Sequence, residues 1–154
     1  MNNSLQKLQL NDTKHRLSIT KEQWLAALNS ATTDPSVGIR HAALSGDEHW
    51  RIHVAAIPQQ VGCHFHKQGD ETYEVVQGRG TLHFGEAVQA EDGDHVIWET
   101  PVAVKAGDCF VVPEGYAHQL QRQGDEDLTI LFACPDSHLD DESDRTLLPD
   151  SPAL

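Results

Sequence analysis

From Val37 to Ala133 the sequence runs as short stretches rich in valine, isoleucine, threonine and aromatic residues, each interrupted within a few positions by glycine, proline or aspartate. Segments of that length are too short for helices of a helical domain and suit antiparallel strands joined by tight turns. Strands are expected near Val37–Leu44, Trp50–Pro58, Thr72–Gln77, Gly80–Phe84, His95–Trp98, Val102–Lys105, Cys109–Val112, His118–Arg122 and Leu128–Ala133. Asp92-Gly93 has hairpin-turn chemistry, and Gly78-Arg79-Gly80 reads as a turn rather than a phosphate loop. The one helical pattern lies upstream. Thr20 sits three residues before Gln23 as in a capping box, with Ile19 and Trp24 placed as a hydrophobic staple. A helix is therefore expected over about 21–28, with Trp24, Leu25 and Leu28 sharing one face that packs on the β body. Asp34-Pro35 ends the helical stretch, because a residue before proline avoids helical angles. The pattern as a whole predicts an all-β chain with one short N-terminal helix.

A chain of 154 residues fits one domain and can bury a core without disulfides or a structural metal. Its expected parts are an N-terminal extension (1–36), a β-barrel (37–134) and an acidic, flexible tail (135–154) that is disordered or docked outside the barrel. The net charge of −13 repels phosphate backbones and anionic lipid, so nucleic acid and membranes are not expected partners. Cys63, Cys109 and Cys134 are odd in number and form no Cys-x-x-Cys pair, which argues against a disulfide framework and for a reducing compartment. Met1–Leu10 lack a signal-type apolar core, and no apolar run is long enough to span a bilayer. A cytoplasmic protein is expected.

The residues that carry chemistry lie in two segments. In Gly62-Cys63-His64-Phe65-His66 an extended backbone projects His64 and His66 to one face and Cys63 and Phe65 to the other. Two imidazoles on one face can chelate one ion, and Glu71, after a short turn, can return as a carboxylate ligand. In the second segment a strand ends at Pro113, a Pro-x-Gly turn redirects the chain through Gly115, and His118 opens the next strand. His118 is the fourth candidate ligand.

The two segments resemble the paired motifs of the cupins, G-x5-H-x-H-x4-E-x6-G and G-x5-P-x-G-x2-H-x3-N. Two positions depart: Pro58 stands where the first glycine would fall, with Gly62 nearby, and Arg122 replaces the final asparagine. Neither touches a candidate ligand. The resemblance covers about residues 37–133. It implies a jelly-roll barrel holding one divalent metal per chain through His64, His66, Glu71 and His118, with manganese or iron most often and nickel, zinc, cobalt or copper also known. Gly78, Gly107, Pro113 and Gly115 would make the turns that aim the ligands. It also implies a homodimer paired through an exposed sheet edge.

The other histidines, at positions 15, 41, 49, 53, 83, 95 and 138, lack ligand spacing and read as surface or pocket-lining residues. His83, on the strand after the first motif, points inward or outward; parity leaves both open. Cys63 reads as a buried hydrophobe on the face opposite the histidines, and Cys109 lies beside the metal-bearing strands. Trp50, Trp98, Phe110 and Tyr116 are candidates for aromatic pocket walls or core. Glu74 points away from Glu71 by alternation and Glu114 occupies an exposed turn, so neither reads as a general base. Gln77 shares the parity of Glu71.

Three imidazoles and a carboxylate around an ion that prefers about six ligands leave two positions for water, dioxygen or a bidentate substrate. The resulting expectation is a metalloenzyme acting on a small oxygenated metabolite. Dioxygenase or isomerase chemistry comes first and decarboxylation second, by analogy with cupins. The competing classes are a non-catalytic cupin that binds or senses a small molecule, and an interaction module that uses the acidic tail.

Overall fold

A computed structural model describes residues 3–35, 38–46, 50–66, 69–135 and 145–154. Among these residues two α-helices, α1 (Asn3–Lys7) and α2 (Lys21–Leu28), and a 3-10 turn at Thr13–His15 between them precede the barrel. Twelve strands follow: β1 (Thr32–Asp34), β2 (Ile39–Gly46), β3 (Trp50–Ile57), β4 (His64–His66), β5 (Glu71–Gln77), β6 (Arg79–Val88), β7 (His95–Trp98), β8 (Val102–Lys105), β9 (Cys109–Val112), β10 (Tyr116–Gln123), β11 (Leu128–Pro135) and β12 (Arg145–Leu147). They form two antiparallel sheets. One has the order β1-β2-β3-β11-β5-β9; the other runs β12-β4-β10-β6-β7, with β8 also paired to β6. Neighbours far apart in sequence, such as β3 and β11 or β4 and β10, are the crossovers of a jelly roll. The all-β jelly-roll expectation is met.

Strand parity builds the core. On β5, Glu71, Tyr73 and Val75 are buried while Thr72, Glu74 and Val76 are half-buried. Val75 joins Leu82 and Phe84 of β6, Phe110 of β9 and Ile130 of β11 between the sheets. β11 is buried on both faces, because α2 covers the outside of its sheet: Trp24 packs against Val54 and Leu131 there. The helix starts where capping chemistry places it. Thr20 Oγ1 accepts from Gln23 N at 3.2 Å, and Gln23 Oε1 accepts from Thr20 N at 2.8 Å. The β5–β6 turn needs Gly78, at φ +80°, since a Cβ would lie 2.7 Å from the Asp127 carbonyl oxygen.

Several elements were not legible in advance. The N-terminal residues cover the edge of β9, with Val111 N donating to Leu8 O and Asn11 N to Cys109 O, both at 2.7 Å. That satisfies an edge which would otherwise expose unpaired backbone. β1 pairs with β2 as a short hairpin, Asp34 opposite Ile39, and Thr32–Asp34 had no strand signal. Of the acidic tail, the stretch 145–154 is docked on the outside of the barrel. β12 pairs with β4, and Ser151 is buried against the outer face of the second sheet. Backbone pairing, side-chain hydrogen bonds and the packing of Leu148 beside Cys63 and Phe65 dock this stretch. The tail's acids between positions 136 and 144, and His49 and His138, lie outside the described residues.

Candidate metal centre

The sequence-expected ligands are brought together by pairing between β4 and β10. His118 is directly opposite His64 in the ladder, so their rings meet at 4.4 Å between centroids, and His66 follows on the same face 5.0 Å from His64. All three imidazoles are buried, and one ring nitrogen from each lies within 4.8 Å of those of the others. Among the described residues these three form a cluster able to hold a metal ion. Glu71, also buried, approaches from β5 in the opposite sheet, with Oε2 3.2 Å from His66 Nε2 and 4.0 Å from His118 Nε2.

Backbone carbonyls set the imidazole tautomers. His64 Nδ1 lies 2.7 Å from Gly62 O, and His118 Nδ1 lies 3.2 Å from Tyr116 O, each two residues earlier. A carbonyl oxygen only accepts, so Nδ1 carries the proton in both rings and the Nε2 lone pair is left for a ligand. Burial pushes the His64 pKa well below the usual histidine range, and the neighbouring His118 and His66 push the same way. A neutral imidazole is the metal-binding form. On the far side, Tyr73 Oη donates a short hydrogen bond to Glu71 Oε1. Burial, then the Glu71 charge, holds the Tyr73 hydroxyl well above its ordinary pKa and therefore protonated. The donor set is three imidazoles and one carboxylate with oriented outer partners, and it fits a first-row divalent ion.

The loops that carry the ligands are tied to each other. Glu114 Oε1 accepts from Gly69 N at 2.7 Å, Asp70 Oδ1 accepts from Glu114 N at 2.9 Å, and Gly115 N donates to His66 O at 3.1 Å. Glu114 is thus a loop brace. Gly115, at φ +78°, makes the turn that its sequence context forecast. Glu74 points out of the barrel as expected, and its Oε1 accepts from Leu17 N at 2.9 Å.

A cavity opens over the imidazoles. Counted to its open mouth, its volume is about 550 Å³. The inner part suits an ion with its waters, and the mouth suits one small molecule. Its aromatic wall is Tyr73 and Phe132; of the candidates for wall or core, Trp98, Phe110 and Tyr116 do not line it. Phe110 is buried in the core, stacked on Tyr73 at 5.1 Å, and Tyr116 packs beside Phe84. Trp98 lies with Cys63 and Phe65 on the outer face of the second sheet. The side chain of Trp50 lies outside the described residues. Asp34 and His41, from the β1–β2 hairpin, and Cys134 also line the cavity. Tyr73 was readable from its parity with Glu71, whereas Asp34 and His41 arrive by a hairpin that no spacing announced.

Other expectations resolve by parity. Leu82 and Phe84 fill the core, so His83 points outward, where its Nδ1 lies 3.1 Å from Ser151 Oγ. Cys63 is buried on the face opposite the histidines, its thiol pushed up to about 11 by burial and secondarily by Asp150. Cys109 is buried too, and burial raises its thiol pKa.

Two antiparallel sheets closed over a histidine-lined interior give the chain a cupin fold. Its residues 42–146 match the family described as Polysaccharide biosynthesis C-terminal domain, and the chain belongs to that family. No curated protein matches it in sequence. Among solved structures it is similar to the capsular polysaccharide assembling protein CapF from Staphylococcus aureus, with 19% identity and a TM-score of 0.59, covering 78% of this chain and 34% of CapF. It therefore spans about a third of that protein. An uncharacterized protein with a double-stranded β-helix domain from Klebsiella pneumoniae is 16% identical with a TM-score of 0.57, covering 88% of this chain and 99% of that one. A variant of Bacillus subtilis oxalate decarboxylase is 16% identical with a TM-score of 0.56, covering 79% of this chain and 31% of that one. These likenesses establish the fold. No helix among the described residues is long and apolar enough to cross a membrane.

Proposed function

We propose that the protein is a metal-dependent cupin enzyme acting on a small oxygenated metabolite, with His64, His66, Glu71 and His118 as the ligands of one divalent ion. The observation that carries this reading is the convergence of three buried imidazoles and a buried carboxylate at the floor of an open cavity. The ion, manganese or iron in this reading, would supply Lewis-acid polarisation of a substrate oxygen, or one-electron chemistry if redox-active. The chain's own part is definable. The carbonyls of Gly62 and Tyr116 keep Nε2 of His64 and His118 aimed inward. Tyr73 holds Glu71, and the walls built by Val61, Leu120, Ile130 and Phe132 keep bulk water from the bound molecule. A hydroxylated, sugar-like substrate is in keeping with the family's description as a polysaccharide biosynthesis domain, and isomerase chemistry on it fits a Lewis-acid centre. Dioxygenase chemistry uses the same site, and decarboxylation ranks behind both.

The experiment is metal analysis of tag-free protein beside the His64→Ala, His66→Ala, Glu71→Ala and His118→Ala variants, followed by assays of candidate hydroxylated substrates with and without dioxygen. About one manganese or iron per chain, lost in the variants, is the expected result. Turnover only with dioxygen selects the dioxygenase reading. Folded protein that takes no ion under any loading refutes the enzyme and leaves a small-molecule-binding cupin. We further read the protein as a cytoplasmic homodimer. Buried cysteines outside any disulfide suit a reducing compartment, and Ile97, 54% exposed on the edge strand β7, suits a second copy. Light scattering giving twice the chain mass is expected, and a monomer mass rejects the dimer.

A further inference from the structure

The C-terminal segment touches both strands that carry the imidazoles. β12 pairs with β4, Leu147 opposite His64 and Arg145 opposite His66, and Leu148 N donates to Cys63 O at 2.8 Å. Three residues further on, Asp150 and Ser151 reach Gln119, the residue after His118. Gln119 is fully buried and projects to the face opposite His118. Its Oε1 accepts from Ser151 N at 2.9 Å, and its Nε2 donates to Asp150 Oδ1 at 2.9 Å and to Val61 O at 2.9 Å. One amide group therefore joins the C-terminal segment to the loop before β4.

Pro58–Cys63, the loop before β4, form no strand and are held to β10 by the isolated Gln60–Gln121 bridge, whose two bonds are Val61 N to Leu120 O and Arg122 N to Gln59 O, and by Arg122 Nη1 donating to Pro58 O. Within it lies Gly62, the residue with the widest backbone freedom. Its carbonyl is the one that His64 Nδ1 meets at 2.7 Å. Fixing the carbonyl of Val61 fixes one of the two peptide planes that Gly62 joins, and so narrows the range over which the other, which carries the Gly62 carbonyl, can turn.

We infer that Gln119 is a positioning residue for His64, and that the segment 145–154 is the clasp that holds Gln119 in place. The contacts run from Asp150 and Ser151 to Gln119, to Val61, to Gly62 and to His64 Nδ1. Without the Gln119 donation, Val61 O loses this partner, Gly62 can rotate, and His64 populates both tautomers instead of offering Nε2 alone. The inference rests on the proposed function only in reading His64 as a ligand.

Two variants test it. Gln119→Glu keeps the size and the acceptor for Ser151 N but abolishes both donations. Asp150→Ala, at an exposed residue, cuts the clasp from outside. Long-range imidazole nitrogen spectra of the metal-free protein read the His64 tautomer, and cobalt(II) titration followed by absorbance reads the site. In the wild type His64 is expected as the single Nδ1–H tautomer. In Gln119→Glu, mixed tautomers and cobalt(II) binding weakened about tenfold or more are expected at an unchanged fold, and Asp150→Ala shifts both readouts the same way by less. A single retained tautomer with cobalt(II) affinity within about twofold of wild type in both variants overturns the inference. If the wild type takes no cobalt(II), the metal reading fails while the tautomer comparison still decides the coupling. If Gln119→Glu does not fold, the Asp150→Ala comparison decides alone.

Discussion

Tyr73→Phe removes one oxygen from the centre of the site and nothing else. The ring of Tyr73 stacks on Phe110 at 5.1 Å and lies against Phe132 at 6.2 Å, and phenylalanine keeps both contacts. What goes is the hydroxyl that donates to Glu71 Oε1, between side chains that are 4% and 6% exposed. A hydrogen bond to a charged group contributes about 1.5–3 kcal/mol, and a buried carboxylate that loses such a donor forfeits that order of free energy. For a domain of this size the melting temperature falls by about 2–4 °C per kcal/mol, so a loss of roughly 3–12 °C is expected. Because Glu71 is also held 3.2 Å from His66 Nε2, its displacement is expected to weaken metal binding by about 10–100-fold. Calorimetric melts of the metal-free protein and a competitive metal titration measure the two effects. A melt unchanged to within about 1 °C together with unchanged affinity refutes the assignment of Tyr73 as the group that orients Glu71.

Metal-free protein is expected to lose stability on acidification. The folded pKa of His64 lies well below its unfolded value, so its contribution is complete above about pH 6.5 and is lost as pH falls toward the folded value, by up to about 1.4 kcal/mol per pH unit. Melts from pH 8 to pH 5 that show no such decline refute the burial argument. Thr20→Ala removes the cap oxygen of α2 and is expected to cost about 1 kcal/mol, read from urea unfolding; no change means that the packing of Trp24 alone holds the helix. Cys63, with its thiol at about 11 and only 1% exposed, is expected to stay unreactive toward a thiol reagent at pH 8 until the protein unfolds. Rapid labelling of native Cys63 contradicts its placement.

The class of fold and the four residues at its centre were legible from local patterns in the sequence. Alternation put His64 and His66 on one face and Cys63 on the other, the capping box set the start of α2 at Lys21, and Pro113 with Gly115 marked the turn that leads to His118. Those signals are local: each depends on the period of a strand, the hydrogen bonding of one helical turn, or the backbone angles of one loop. Tertiary structure alone decided what surrounds the site. The pairing of β4 with β10 brought His64 opposite His118 across more than fifty residues, and the packing of the two sheets set Phe132 and Tyr73, rather than Trp98, along the cavity. His83 was undecided by its own strand until the neighbours Leu82 and Phe84 were seen in the core. The C-terminal segment is the clearest case, because its acids and prolines signal solvation while β12 docks through backbone pairing and Ser151 through Gln119. Backbone donors and acceptors are the same at every residue, so which edge they find depends on where the fold leaves one open.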